Sequence, residues 1–466
     1  MEKKRVRRTA NCSENKDCIS ELPDEILVSI LSRLTLREAV VTSVLSRRWE
    51  YLWASIYTLD FDHRKTSGKI TLTQSIKLEC PELTETERKR YVNWVNCVLG
   101  QHRGTTIDEF RIWFDLNKSY ARDINRWIKF AMQKRVQRLE IHLSGFRPCN
   151  PWPASCYTTY TFPYQLLLYP QLCSDIPWHT FVGFKSLKDL TLKEVNVSCE
   201  VLEYFLANCP NLERLVVHES EHLKKLRVVG SSLPLKHLWV SFCIGLKSIK
   251  ICDTNLVSFK YVGPTTRLLV NNAPLLVDVS ISHGMYSNFM LRQLSSCFSQ
   301  LQVLTLSKWH LQDKIKRRLF TGLKNLKKLV LEIGVKDDES LLLFTPLIKA
   351  CPYLQIFVFK VRIMWTSPLN KKRRVIKAVK CPHYHLKVVE IGGYYCGSSD
   401  FELAMYFIDN ATILEKIIID PRYQCKWYSI SRIETKEEQE LEQTRRRRAR
   451  RQLESKVPPR INLEIL

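Results

Sequence analysis

The sequence predicts an α/β protein in two unequal parts: a three-helix module near the N-terminus, then a long solenoid built from one repeated strand-bearing unit. Two observations carry this. Residues 20–53 place large apolar side chains at helical spacing, and beyond residue 100 a pattern of apolar positions spaced three and then two apart returns fourteen times. A third observation bounds the rest. The chain has 466 residues, 45% hydrophobic and 26% charged, so wholesale disorder and collagen-like structure are excluded. No apolar run approaches the roughly 18–20 residues of a membrane span, and the polar N-terminus, Met1 to Arg8, leads into no apolar segment of the secretory kind.

The helical module comes first. Pro23 suits the opening turn of a helix, where its missing N–H costs nothing, and Asp24 and Glu25 complement the positive dipole end. Leu22, Ile26, Leu27, Ile30, Leu31 and Leu34 then share a helical stripe. Thr35 followed by Glu38 predicts a capping box for a second helix. Trp49, Leu52 and Trp53, at i, i+3 and i+4, predict an aromatic face on a third. So short a segment holds more large apolar side chains than its own core can cover, so the surplus packs on the rest of the chain or on another protein.

These residues resemble an F-box of the form common in plants: Leu22-Pro23-Asp24-Glu25-Ile26-Leu27, Ile30-Leu31-Ser32-Arg33-Leu34, Val44-Leu45-Ser46-Arg47-Arg48-Trp49 and Leu52-Trp53. The resemblance implies binding of a Skp-type adaptor, and through it a cullin–RING ubiquitin ligase. Carried over residue by residue, it implies adaptor contacts at Leu22, Pro23, Ile26, Leu27, Ile30, Leu45 and Trp49. Spacing alone does not divide these into internal and outward-facing members. The module is assigned to 18–60, with a helical linker at 61–100.

The repeat follows. Its apolar triplets begin with Ile107/Phe110/Ile112, Val136/Leu139/Ile141, Leu187/Leu190/Leu192 and Leu212/Leu215/Val217, and continue to Leu386/Val389/Ile391 and Leu414/Ile417/Ile419. The spacing combines a turn into a strand with period-2 alternation along it, as leucine-rich repeats require. Several intervals are 25 residues or longer, with room for a helix. Glu200 to Cys209, with Leu202, Phe205, Leu206 and Cys209 on one face and Pro210 at its end, supplies one. Between Leu212 and Leu256 triplets come every 10–12 residues. Those units are read as strand plus turn, with tighter local curvature. Residues 144–182 are either an irregular repeat or a loop over the solenoid.

The repeats resemble those of plant F-box/leucine-rich-repeat proteins. Cys381 to Pro421 resembles the FBD region found in many of them. The assignment is a degenerate leucine-rich-repeat α/β solenoid over 101–380, an FBD region continuing it over 381–425, and a charged tail over 432–466 expected to be a frayed exposed helix or disordered.

Seventy-two Lys and Arg against 47 Asp and Glu give +25, spread along the chain and not confined to its ends. Such a surface attracts acidic partners. Two dense runs, Lys3, Lys4 and Arg5, and Arg445, Arg446, Arg447 and Arg448, are candidate nuclear-import signals. Sixteen cysteines with no secretory segment read as reduced thiols. Cys209 and Cys351, each before Pro and a repeat strand, read as small buried residues. Cys381, His383 and His385 lack the fourth ligand and paired cluster of a zinc site, so no metal or other cofactor is expected.

No phosphate-loop, G-x-S-x-G or H-E-x-x-H motif occurs. The resemblance to plant F-box/leucine-rich-repeat proteins implies that the chain is the non-catalytic substrate-recognition subunit of a Skp–cullin–F-box ubiquitin ligase, expected in the nucleus and/or cytoplasm. Its expected partners are the adaptor and an unidentified protein target; neither membrane nor nucleic acid is expected. A second reading is a basic scaffold that binds nucleic acid or an acidic protein without recruiting a ligase, and a third is a folded family member with no dedicated target.

Overall fold

The computed structural model describes residues 19, 21–66, 85–143, 159–168, 183–283, 292–308, 322–336, 340–365, 380–422 and 436–466. The N-terminal module opens with the helix Asp24–Leu31, which starts after Pro23 with both acids in its first turn. The capping box predicted for the second helix, Leu36–Val41, is present: the Glu38 N–H donates to Thr35 Oγ1 and the Thr35 N–H to Glu38 Oε2 at 2.9 Å. The third element, Trp49–Ser55, is a 3-10 helix. Leu27, Leu31, Leu36, Ala39, Trp49, Leu52 and Trp53 form the core.

The chain then enters the sheet without a linker. Strand β1 (Thr58–Asp62) already pairs in parallel with β2 (Glu109–Trp113). The sheet thus begins within the expected module, where Ile56, Leu59 and Phe61, all buried, keep the triplet spacing. Ser32 Oγ accepts the Tyr57 N–H at 2.9 Å and ties the module to β1. The helix Glu85–Gln101 covers the back of this first strand pair, with Tyr91, Val92, Val95 and Val98 buried.

The sheet continues in parallel through β3 (Arg138–His142), β4 (Asp189–Lys193) and β5 (Arg214–His218). Between Lys225 and Asn271 it divides. Strands β7 (His237–Ser241) and β9 (Ser258–Gly263) join the main sheet, whereas β6 (Lys225–Val229), β8 (Ser248–Cys252) and β10 (Arg267–Asn271) form a second parallel sheet. The main sheet then runs through β11 (Asp278–His283), β12 (Val303–Lys308), β13 (Lys328–Lys336), β14 (Ile356–Trp365), β15 (Val388–Gly392), β16 (Lys416–Asp420) and β17 (Asn462–Ile465). It holds fourteen strands among the described residues.

The closely spaced triplets are thus alternate strands of two sheets. Strands advance about 4.8 Å per repeat and packed helices about 8–10 Å, and that mismatch is what bends a helix-backed solenoid. Where β6, β8 and β10 replace helices, both faces advance equally. On that geometry the tighter curvature expected from short units does not follow from their length alone.

Helices back the sheet elsewhere. Cys199–Asn208 packs by Val201, Leu202, Phe205 and Leu206, and Ser398–Asn410 by Leu403, Ala404 and Phe407. Within 144–182, the described residues 159–168 fill space behind the sheet, with Tyr160, Phe162, Leu166 and Leu167 buried and Thr161 bridging to Asn196.

The charged tail is also corrected. Lys436–Leu453 is a helix seated on the solenoid by Ala449 and Leu453, both fully buried. Gln452 accepts from the Tyr394 hydroxyl at 3.1 Å and donates to the Cys396 carbonyl at 3.2 Å. The chain then returns as β17 alongside β16. Helix and strand together make one more repeat, for which two apolar contacts at i and i+4 suffice.

Candidate docking surfaces

A helix turns 100° per residue, so the apolar stripe of the N-terminal module is wider than one buried face. Leu27, Val28 and Leu31 point inward, and Ile26, Ile30 and Leu34 form the adjoining, exposed stripe. The next turns add Val41, Val44 and Leu45, with Val44 81% and Leu45 64% exposed, and Tyr51 follows. Eight of the nineteen large apolar side chains exposed among the described residues fall within residues 19–51. Such a concentration marks a binding surface, where scattered apolar residues would mean nothing.

Arg48 fixes the geometry of this face. Its guanidinium meets Asp24 Oδ1 at 2.6 Å and the Leu22 carbonyl at 2.5 Å, pinning the turn after Leu45 to the start of the first helix.

The seven residues carried over as adaptor contacts therefore divide. Pro23, Ile26, Ile30 and Leu45 are exposed, and Leu22 is half-buried against the core. Leu27 and Trp49 are corrected: at 0% and 6% exposure they hold the module together and present no surface. Leu34, Val41, Val44 and Tyr51, outside the seven, are exposed on the same module. Their signal is that Val40, Val41, Val44 and Leu45 exceed what so short a helix can bury.

The second surface is the outward side of the main sheet, where alternate strand residues face solvent. Over β1 to β5 it is a ladder of ion pairs. Arg111 donates to Glu140 at 2.9 Å and lies 3.5 Å from Asp60; Lys193 reaches Glu140 at 2.8 Å; Arg138 meets Glu109, and Arg214 meets Asp189. Burial alone would raise the Glu140 carboxyl, but hydrogen bonds and charge from Lys193 and Arg111 outweigh it and hold the group below the ordinary range.

From β5 to β11 the ladder gives way to Val216, Trp239 and Lys260 side by side. The Lys260 ammonium lies 4.0 Å from the centre of the Trp239 ring, at the edge of a hollow of about 190 Å³.

Other predicted positions carry structural roles. Cys209 and Cys351 are buried, and burial pushes both thiols up to about 12, far from a reactive thiolate. His383 is buried and bonded through Nε2 to the Tyr406 hydroxyl at 2.9 Å, and burial holds its imidazole down at about 4. His385 lies beside the Tyr353 ring. No group of three metal-ligating side chains occurs among the described residues.

Lys3, Lys4 and Arg5 lie outside the described residues. In the second run Arg445 covers the Tyr395 ring and Arg446 pairs with Glu442, while Arg447 and Arg448 face solvent from the helix. No helix among the described residues is long and apolar enough to cross a membrane.

The model of the F-box domain matches residues 19–60, and the model described as "At1g61320/AtMIF1, LRR domain" matches residues 98–466. Among curated relatives, all from Arabidopsis thaliana, the FBD-associated F-box protein At4g10400 is 30% identical, over 70% of this chain and 80% of its own length. The F-box/FBD/LRR-repeat protein At4g26340 is 26% identical over 87% of this chain and 93% of its own length. The F-box/LRR-repeat protein At3g26922 is 26% identical over 68% and 98%.

Proposed function

Because this chain belongs to the plant F-box/leucine-rich-repeat family, whose members are typically non-catalytic adaptors, we propose that it is the substrate-recognition subunit of a Skp–cullin–F-box ubiquitin ligase. The apolar face formed by Ile26, Ile30, Leu34, Val41, Val44 and Leu45 docks the Skp-type adaptor, and the outward face of the main sheet holds a protein target. The observation that carries the reading is the concentration of uncovered apolar side chains on a module whose own core is already complete.

The chain's contribution is positional. Holding the target near an activated ubiquitin converts an encounter between separate molecules into one within a complex, with effective concentrations far above those in free solution.

Co-expression with a plant Skp-type adaptor tests the reading. The wild-type chain is expected to co-elute with the adaptor on gel filtration, and a Val44→Asp/Leu45→Asp variant is expected to elute alone, folded. Co-elution of that variant to the same extent as wild type would remove the basis of the proposal. Location in the nucleus and/or cytoplasm is part of the same proposal. A full-length fluorescent fusion excluded from the nucleus, and unchanged by Arg447→Gln/Arg448→Gln, would remove the import role of that run.

A further inference from the structure

The outward face of the main sheet treats its cations in two ways. On β1 to β5, Arg111, Arg138, Lys193 and Arg214 each have a carboxylate within 4.0 Å. Lys260, at the centre of β9, has none among the described residues: Asp278 and Glu332 act on it only through space. Its side chain lies over the Trp239 ring instead, and the surroundings remove enough water to lower its pKa. Lys260 is itself exposed, so its ammonium is open to an anion brought from outside.

The surroundings define that anion. The hollow is lined by Arg214, His237 and Lys260 together with Asp278. His237 Nδ1 is engaged with Ser258 Oγ at 2.8 Å and Arg214 with Asp189 at 3.5 Å, so Lys260 is the cation of the hollow with no carboxylate within 4.0 Å among the described residues. Beside it stand the Trp239 ring, 38% exposed, and the largely buried Val216. A cation flanked by an aromatic plane fits a carboxylate side chain next to an apolar one.

We propose that the Trp239–Lys260 platform binds an acidic segment of the target protein, with a Glu or Asp carboxylate on the Lys260 ammonium and a neighbouring apolar side chain on the Trp239 ring. The assignment rests on the target-binding role given above to this sheet, and it names the chemistry that this part of the sheet selects. The chain's charge of +25 favours the approach of such a segment, and the platform fixes where it lands.

The test is fluorescence anisotropy with the full-length chain and a labelled nonapeptide of alternating Glu and Leu. Companion peptides carry Gln or phosphoserine in place of Glu. The Glu peptide is expected to bind, the Gln peptide to bind at least tenfold more weakly, and Lys260→Gln and Trp239→Ala each to weaken the Glu peptide about tenfold. Lys260→Arg is expected to retain binding, and Arg447→Gln/Arg448→Gln/Arg451→Gln on the C-terminal helix to bind as wild type.

Failure of the Glu peptide to bind, or equal binding by Lys260→Gln and wild type, would overturn the proposal. So would loss of binding in the arginine variant alone, which would mean diffuse attraction of polyanions. Tighter binding of the phosphoserine peptide would replace a carboxylate with a phosphate and overturn the assignment as stated. Co-elution with the adaptor is measured on the same variants. Its loss from the wild-type chain would sink the ligase role while leaving the peptide result to stand or fall alone.

Discussion

The N-terminal helices and the main sheet are both built on apolar side chains, yet they leave opposite residues outside. In the sheet, a period of two sends every second residue inward, and the triplets are almost wholly covered: Leu190, Leu215, Leu304 and Phe357 are all fully buried. What remains outside near its start is polar and internally paired. In the helical module, six- to eight-residue helices carry apolar residues around more than one face, so Ile30, Val44 and Leu45 stay exposed after the core has closed. The comparison teaches that density of apolar residues predicts burial only where the geometry gives each of them an inside.

Mutations separate the two regions. Phe357→Ala, fully buried on β14, is expected to cost about 3–5 kcal/mol and to lower the urea midpoint accordingly. A shift of a few tenths of a kcal/mol would mean that the sheet core is not close-packed there.

The pH dependence belongs to the sheet side as well. His383 is neutral in the folded chain down to about 4, whereas in the unfolded chain it takes a proton below its ordinary 6.5. Its contribution is therefore complete above about pH 6.5 and is lost as the pH falls toward 4, by at most about 3 kcal/mol. His383→Gln should flatten that part of the stability–pH curve, and an unchanged slope would contradict the buried neutral imidazole.

Within the helical module, Thr35→Ala removes the cap of the second helix and should cost about 1 kcal/mol, read as a lower unfolding temperature. Leu45→Asp is the smallest in stability and the sharpest in function. It should change folding by no more than about 0.5 kcal/mol while removing co-elution with the adaptor.

Much of this was legible in the residues. All fourteen apolar triplets lie on strands, because three-then-two spacing has few other physical readings. Strand β1 was hidden because Ile56, Leu59 and Phe61 fall where the helical module was thought to end. Strands β10 and β17 escaped because the first apolar position of each triplet, judged from the pairing register, holds Thr265 and Arg460. The division into two sheets was illegible for a different reason: spacing along the chain does not say which face a strand joins.

At the docking surface, the stripe from Leu22 to Leu34 was read correctly as apolar. Which of its edges turns inward depends on how the helix is rolled, and contacts with Leu36, Ala39 and Trp49 decide that. Trp239 and Lys260 gave no signal in the chain because a strand's outward residues follow no pattern. Only the register that sets them side by side reveals them.

Hydrogen exchange on the full chain, with and without a Skp-type adaptor, tests the central contrast most directly. Added adaptor is expected to slow exchange at the helices Asp24–Leu31 and Leu36–Val41 and to leave β5, β7, β9 and β11 unchanged. Slowed exchange on those strands, with the two helices unaffected, would contradict the account.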